Sequence, residues 1–319
     1  MNQLRYIRYH YRPRRRKRKL YLSIFLLLCI GGGVYYSIFY VDFYNIYSNF
    51  LVLYRNLFGD YGFLEKNLEA GNYNIVIHEG LPYLEKKPNN PRLLRYLGES
   101  YYYISSSLTE GEKEESINNA ILYLRKGIAL SRFDEVLTKS YFILGMSYFK
   151  KGTSYYELAV EYLKKALDAG YKDKGISELL GYCYYKLGAF DEAITYLEKA
   201  KDESPKDVTR LYLAHAYKDK GMYESALKEL SFLVEGSEDP AIVEEAYAAT
   251  IWIDFQEERF DNVRKNIEYL LKINPGSAFA HYWLGNLYER EGNLLAARKE
   301  WRETLKIDPK HIGAIKKLY

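Results

Sequence analysis

Hydrophobic and polar positions divide the chain into two regimes. From Leu20 to Val41 the sequence LYLSIFLLLCIGGGVYYSIFYV holds 22 residues without a charged side chain. As a helix rising ~1.5 Å per residue it reaches ~33 Å, which matches a bilayer core of roughly 30 Å. Beyond about residue 57 the apolar positions no longer run together; they recur with a period of about 34 residues, the length of one helix-turn-helix unit.

The clearest copy is Tyr282-Trp283-Leu284-Gly285-Asn286-Leu287-Tyr288, followed by Gly292-Asn293, Ala297, Trp301, Leu305 and Pro309. The same skeleton returns as Leu97-Gly98 with Tyr101, as Leu144-Gly145 with Tyr148 and Gly152, and as Leu180-Gly181 with Tyr184, Gly188, Ala193 and Pro205. It returns once more as Leu213-Ala214 with Tyr217, Gly221 and Ala226. Two copies depart from it. Around 57–90 only Gly71-Asn72-Tyr73 and Pro88 keep the register, and around 244–277 Ile251 and Asp254 stand where glycine and tyrosine are expected.

This skeleton resembles the tetratricopeptide repeat, whose first helix carries Leu-Gly with a tyrosine three residues later and whose second carries alanine, an aromatic and a closing proline. The resemblance implies an all-α fold: a right-handed α-solenoid of about seven helix-turn-helix repeats, at 57–90, 91–131, 138–171, 174–206, 207–240, 244–277 and 278–311. Physically, glycine or alanine after the leucine lets two helices approach, and tyrosine and alanine fill the space between neighbours. No hairpin buries its apolar face alone, so stacking supplies one continuous core. Between Tyr101 and Ala120 about ten residues exceed the pattern, including Ser105-Ser106-Ser107 and the acidic run Glu110 to Glu115, which predicts a longer loop or extended helices. Residues 312–319 read as a cap in which Ile312, Ile315 and Tyr319 share a face.

Charge fixes an orientation for the apolar stretch. Nine of the 46 basic residues fall in residues 1–19 with no acid among them, leaving 37 against 42 acidic residues for the rest of the chain. A basic flank on one side only places that side in the cytoplasm, with the repeats on the far face. Tyr21 at one end of the stretch and Tyr35, Tyr36 and Tyr40 at the other suit the two interfaces. The reading is therefore a basic cytoplasmic tail at 1–19, a transmembrane helix at 20–41 and an aromatic linker at 42–56. A cleaved signal peptide fits less well, because the basic region is long and only Gly31-Gly32-Gly33 offers small residues. Leu26-Leu27-Leu28-Cys29 is a poor lipoprotein box, with leucine before the cysteine and an apolar run after it. The arginine cluster also suits phosphates, but its place beside a span favours anionic lipid headgroups over nucleic acid.

Chemistry is sparse. The five histidines, His10, His78, His215, His281 and His311, show no metal-ligand spacing, and Cys29 and Cys183 are not placed to pair. No phosphate loop, nucleophile elbow or dinucleotide fingerprint occurs. No enzyme, no metal and no cofactor is expected.

What the resemblance offers instead is a concave groove lined by the first helix of each repeat. Carried over by register, the lining residues are Tyr102, Tyr103, Phe142, Met146, Phe149, Tyr182, Tyr185, Leu211, His215, Trp252, Phe255, Phe279 and Tyr282. An open aromatic stripe rimmed by Arg92, Arg95, Lys150, Lys186 and Arg290 suits an extended or helical peptide of another protein. The carboxylate clamp known in the family is not assembled, because its positions read Glu99, Met146, Tyr182, His215, Trp252 and Asn286.

Together these features predict a single-pass protein of a bacterial inner membrane whose repeats scaffold a multiprotein envelope complex in the periplasm. Anchored exported arrays of this type resemble envelope-assembly factors, including collar components of periplasmic flagellar motors. A holdase or translocon-associated chaperone that binds unfolded chains is the alternative. For the topology the expected result is an active C-terminal reporter of the kind that works only outside the cytoplasm. A reporter that works only in the cytoplasm overturns it.

Overall fold

The computed structural model describes residues 26, 28, 61–131, 137–173 and 175–319. The basic tail at 1–19, the linker at 42–56 and, but for two positions, the apolar stretch at 20–41 lie outside the described residues. Among the described residues no helix is long and apolar enough to cross a membrane. The chain divides into two units, Met1–Lys66 and Asn67–Tyr319. Helix α1, Tyr61–Glu69, runs across their junction.

From Tyr61 on, the described residues form fifteen α-helices and two short 3-10 helices, and no strand occurs among the described residues. In the second unit α2 (Tyr73–Lys86) packs on α3 (Pro91–Ile104). Six hairpins follow: α3 with α4 (Glu110–Ala129), α5 (Thr138–Lys151) with α6 (Tyr156–Asp168), and α7 (Ile176–Lys186) with α8 (Phe190–Glu203). Then come α9 (Asp207–Asp219) with α10 (Tyr223–Gly236), α11 (Pro240–Gln256) with α12 (Phe260–Ile273), and α13 (Ala278–Arg290) with α14 (Leu294–Ile307). Helix α15, Ile312–Leu318, lies against α14. Each second helix also packs on the next first helix, so the core runs on from hairpin to hairpin.

One contact sets the hairpin geometry. A Cβ placed on Gly98, Gly145, Gly181 or Gly285 would lie 2.6, 2.8, 2.5 and 2.5 Å from Leu124, Leu163, Leu197 and Trp301 respectively, closer than real Cβ atoms approach. In the other two hairpins the position holds Ala214 and Ile251, both buried completely. The insertion after Tyr101 is absorbed without disturbing this contact. Ser105, Ser106 and Ser107 donate back to the carbonyls of Tyr102, Tyr103 and Ile104, closing α3 in a single 3-10 turn. Helix α4 then starts early, at Glu110, and runs for 20 residues where other second helices have 13 or 14. The Glu112 carboxylate accepts from the backbone N–H and hydroxyl of Thr109, so the acidic run is the first two turns of a helix.

The tyrosine three residues after the small position fills the space beside the second helix. Tyr101, Tyr148 and Tyr184 stack on Tyr123, Tyr162 and Tyr196 at 5.6, 5.8 and 5.5 Å between ring centroids. Tyr217 is 7% exposed, and its hydroxyl donates to Glu198 of the preceding second helix at 2.5 Å. The α11–α12 hairpin breaks the rule with Asp254, and its turn is odd as well. Four hairpins turn through a glycine with positive φ, at Gly152, Gly188, Gly221 and Gly292, whereas here the residue is Glu258 at φ 56°. A side chain in that region costs ~1–2 kcal/mol.

The cap differs from expectation. Ile312 and Tyr319 are 69% and 97% exposed and Ile315 is also on the outside; Ala314 and Leu318 face the core instead, against the cluster containing Trp301. A small residue at 314 is what allows α15 to lie close, with Gly313 directly over the Tyr282 ring.

Two helical glycines give a paired test of the close approach. Gly181→Ala meets Leu197 at once and should cost on the order of 1–3 kcal/mol, with hydrogen-exchange protection lost mainly in α7, α8 and their neighbours. Gly111→Ala on α4 has nothing within 4 Å and should stabilise by ~0.5–1 kcal/mol. Equal effects, measured by urea unfolding, would remove the close approach as the organising contact.

Candidate partner-binding face

The register places aromatic residues on successive first helices, and neighbouring hairpins bring them together. Phe149 of α5 meets Tyr182 of α7 at 5.6 Å, and Tyr182 meets Tyr212 of α9 edge-on at 4.7 Å. Tyr185 lies 5.9 Å from Tyr212 and 6.3 Å from the His215 ring. Further along, Phe255 of α11 meets Trp283 of α13 at 4.8 Å, and Trp283 also touches Phe279 and Tyr282. Toward the N-terminal side Tyr102 packs edge-on against Tyr103, and Phe142 stacks on Tyr171 at 4.4 Å. Trp252 lies against Tyr223 at 6.0 Å.

Of the thirteen residues that register assigns to the face, Leu211 is a correction: it is 5% exposed and belongs to the core between α8 and α11. The other twelve, Met146 included, are half-buried. They are not fully open rings, because they pack on the next first helix, as Phe149, Tyr182 and Phe255 do, or on rings of the same helix or of neighbouring segments, as Tyr102, Phe142 and Trp252 do. Arg95 is also no rim residue. Its stem lies over Gly127 of α4 and its Nε donates to the Pro91 carbonyl.

Four further rings complete the face that register alone misses: Tyr73, Tyr171, Tyr212 and Trp283. A signal for several such partners was present. The first residue of the second helix is aromatic five times, at Tyr73, Tyr156, Phe190, Tyr223 and Phe260. Tyr156, Phe190, Tyr223 and Phe260 pack on Phe149, Tyr185, Trp252 and Phe255 respectively.

Cations lie over these rings. Lys150 Nζ is 4.4 Å from the Tyr102 centroid, Lys186 Nζ is 5.3, 5.4 and 5.8 Å from Tyr182, Tyr185 and Tyr212, and Lys218 Nζ is 5.0 Å from Trp252. Arg290 lies 5.8 Å over Phe260. Burial pushes the Tyr102 phenol up to about 12 and holds the Lys150 ammonium below its ordinary value. The face is thus aromatic and partly desolvated, with Lys150 and Lys186 over its rings and with Lys218 and Arg290 paired to Asp219 and Glu258 at its edge.

Burial pushes the Cys183 thiol up to about 12, the opposite of what activates a nucleophile. Among the described residues no three His, Cys, Asp or Glu side chains cluster as a metal would require.

Family models described as tetratricopeptide repeat match residues 142–208 and 278–311. Those two stretches are tetratricopeptide repeats. Among solved structures it is similar to the C-terminal part of a TPR repeat-containing protein from Cytophaga hutchinsonii, at 18% identity and TM-score 0.58 over 82% of this chain and 100% of that one. It is also similar to MamA from Desulfovibrio magneticus, at 17% identity and TM-score 0.48 over 57% of this chain and 99% of that one. YrrB, a TPR protein with an unusual peptide-binding site, aligns at 19% identity and TM-score 0.39 over 74% and 96%. At such identities the first likeness shows the fold alone. No curated protein matches the sequence.

Burial lowers the pKa of His215, against the opposing pull of Glu245, whose carboxylate is 3.0 Å from its Nε2. The unfolded chain therefore binds this proton at a higher pH than the folded one. The stability gained is complete above the ordinary imidazole value of about 6.5 and is lost as pH falls through that value toward the lower folded one. Urea midpoints measured between pH 7.5 and 5 should fall with acid, and His215→Gln should flatten the fall. An unchanged slope in the variant would contradict the assignment.

Proposed function

We propose that the chain is a membrane-anchored scaffold whose repeats bind other proteins across the first-helix face. The observation that carries this reading is the run of half-buried rings on successive first helices, edged by Lys150, Lys186, Lys218 and Arg290. Half-desolvated aromatic residues present large area at low entropic cost, and burying the remainder under a partner segment gives anchors of ~2 kcal/mol or more each. The cations favour a segment in which acidic residues flank the apolar ones.

The place of that scaffold rests on the sequence. In this reading residues 20–41 cross a bacterial inner membrane, residues 1–19 hold its cytoplasmic face through anionic lipid headgroups, and the repeats organise a multiprotein envelope complex in the periplasm. A flagellar-motor collar is one such complex.

A photo-crosslinking residue at Tyr182 on the aromatic face is compared in intact membranes with one at Leu122, an exposed position of α4. The expected result is one or a few discrete adducts from position 182, none of them from 122, and at least fivefold less adduct when Lys186→Glu is added. A smear of many unrelated chains points to a promiscuous holdase and overturns the scaffold. Identical adducts from both positions remove the face as the site.

A further inference from the structure

The α11–α12 hairpin contains a cavity that its own sequence creates. In five other hairpins the position three residues after the small one is tyrosine: Tyr101, Tyr148, Tyr184, Tyr217 and Tyr288. Three of these reach the preceding second helix at one register. The hydroxyls of Tyr148 and Tyr184 lie beside Arg125 and Lys164, and that of Tyr217 bonds Glu198. In the α11–α12 hairpin the residue is Asp254, and the matching place on the preceding helix, α10, is Ser231. Aspartate is too short to cross the gap. An opening of about 430 Å³ remains, walled by Leu227 and Val234 of α10 and by Tyr247 and Thr250 of α11.

The floor of this opening is polar and incompletely satisfied. Asp254, 3% exposed, accepts from Arg259 Nε at 2.8 Å and from Asn266 Nδ2 at 3.0 Å. The Nη2 of the same Arg259 is buried and has no acceptor. A buried donor without a partner is costly, and more so when the group is charged. Ser231 and Thr250 do not relieve it: their hydroxyls donate to carbonyls of their own helices, and neither accepts from Nη2. Lys265, Asn262 and Glu235 also line the opening.

We propose that this cavity is a binding site for the side chain of a tyrosine presented by a partner chain. The incoming ring takes the space between Leu227, Val234 and Tyr247 that the hairpin's own tyrosine would have filled. Its hydroxyl accepts from Arg259 Nη2 and donates to the Asp254 carboxylate, so that both buried groups gain a partner. The opening is lined by α10, α11 and α12 and shares no lining residue with the aromatic face, so the site is separate from that face. Its failure would leave the reading of that face untouched.

The test is ligand-observed NMR on the full chain in detergent with N-acetyltyrosinamide, N-acetylphenylalaninamide and p-cresol as probes. Saturable binding of N-acetyltyrosinamide is expected, about tenfold tighter than the phenylalanine analogue, which lacks the hydroxyl. Asp254→Tyr, which refills the space from within, and Ser231→Phe, which fills it from the other wall, should each abolish binding. Arg259→Gln should reduce the tyrosine probe to the level of the phenylalanine one. The proposal is overturned by no saturable binding, by equal affinity for the two amino acid amides, or by binding that survives both filling variants. Binding of p-cresol without N-acetyltyrosinamide also overturns it, because the site would then take free phenols and not residues of a chain.

Discussion

Everything else in this structure is arranged around the approach of two helix backbones at a residue with little or no side chain. Where Gly98, Gly145, Gly181 and Gly285 face Leu124, Leu163, Leu197 and Trp301, no room is left for a methyl group. This pins the crossing point of each hairpin. Once the crossing is pinned, the tyrosine one turn later must fill the widening space beside it, and residues one turn earlier must seal the other side. The ten-residue insertion shows how strict the constraint is. It is accommodated by a serine-rich 3-10 turn and a lengthened α4, and Leu124 still arrives against Gly98.

The aromatic face follows from the same geometry. Pinned hairpins stack with their first helices side by side, so that a ring on one reaches the next. Interlocking rings half-bury one another, and lysines whose stems lie along the stack bring ammonium groups over the ring faces. Such a surface is neither core nor open groove. Its rings are held by their neighbours before any partner arrives, which reduces the entropy lost on binding.

The α11–α12 hairpin is where local rules are broken together. Ile251 occupies the small position, Asp254 replaces tyrosine, and Glu258 takes the left-handed turn conformation that glycine adopts elsewhere. An ion pair between the buried Asp254 and the partly exposed Arg259 substitutes for apolar packing. Half-buried pairs of this kind add little net stability, and departures that cost stability without evident gain mark places where another demand acts on the sequence.

The period of the sequence was enough to determine helices, their pairing and the small-residue contacts, because each depends on residues within one or two turns of the repeat. Nothing longer in range than a hairpin was needed to read Gly181, Tyr184 and Gly188 as contact, filler and turn. The face was legible only in part. First-helix positions such as Tyr182 and Phe255 followed from register, but Leu211 turned inward, and Tyr171, Tyr212 and Trp283 joined from positions the register does not mark. The difference is physical: which side of a helix faces a neighbour is set by the angle between hairpins, and that angle is fixed by how side chains from three helices pack at once. The same holds at the end of the chain, where spacing alone put Ile312, Ile315 and Tyr319 on a common face, while contact with α14 selected Ala314 and Leu318 as the buried side. The cavity beside Asp254 likewise depends on a residue that is missing relative to its neighbours and on the distance to α10, and only the tertiary structure supplies that distance.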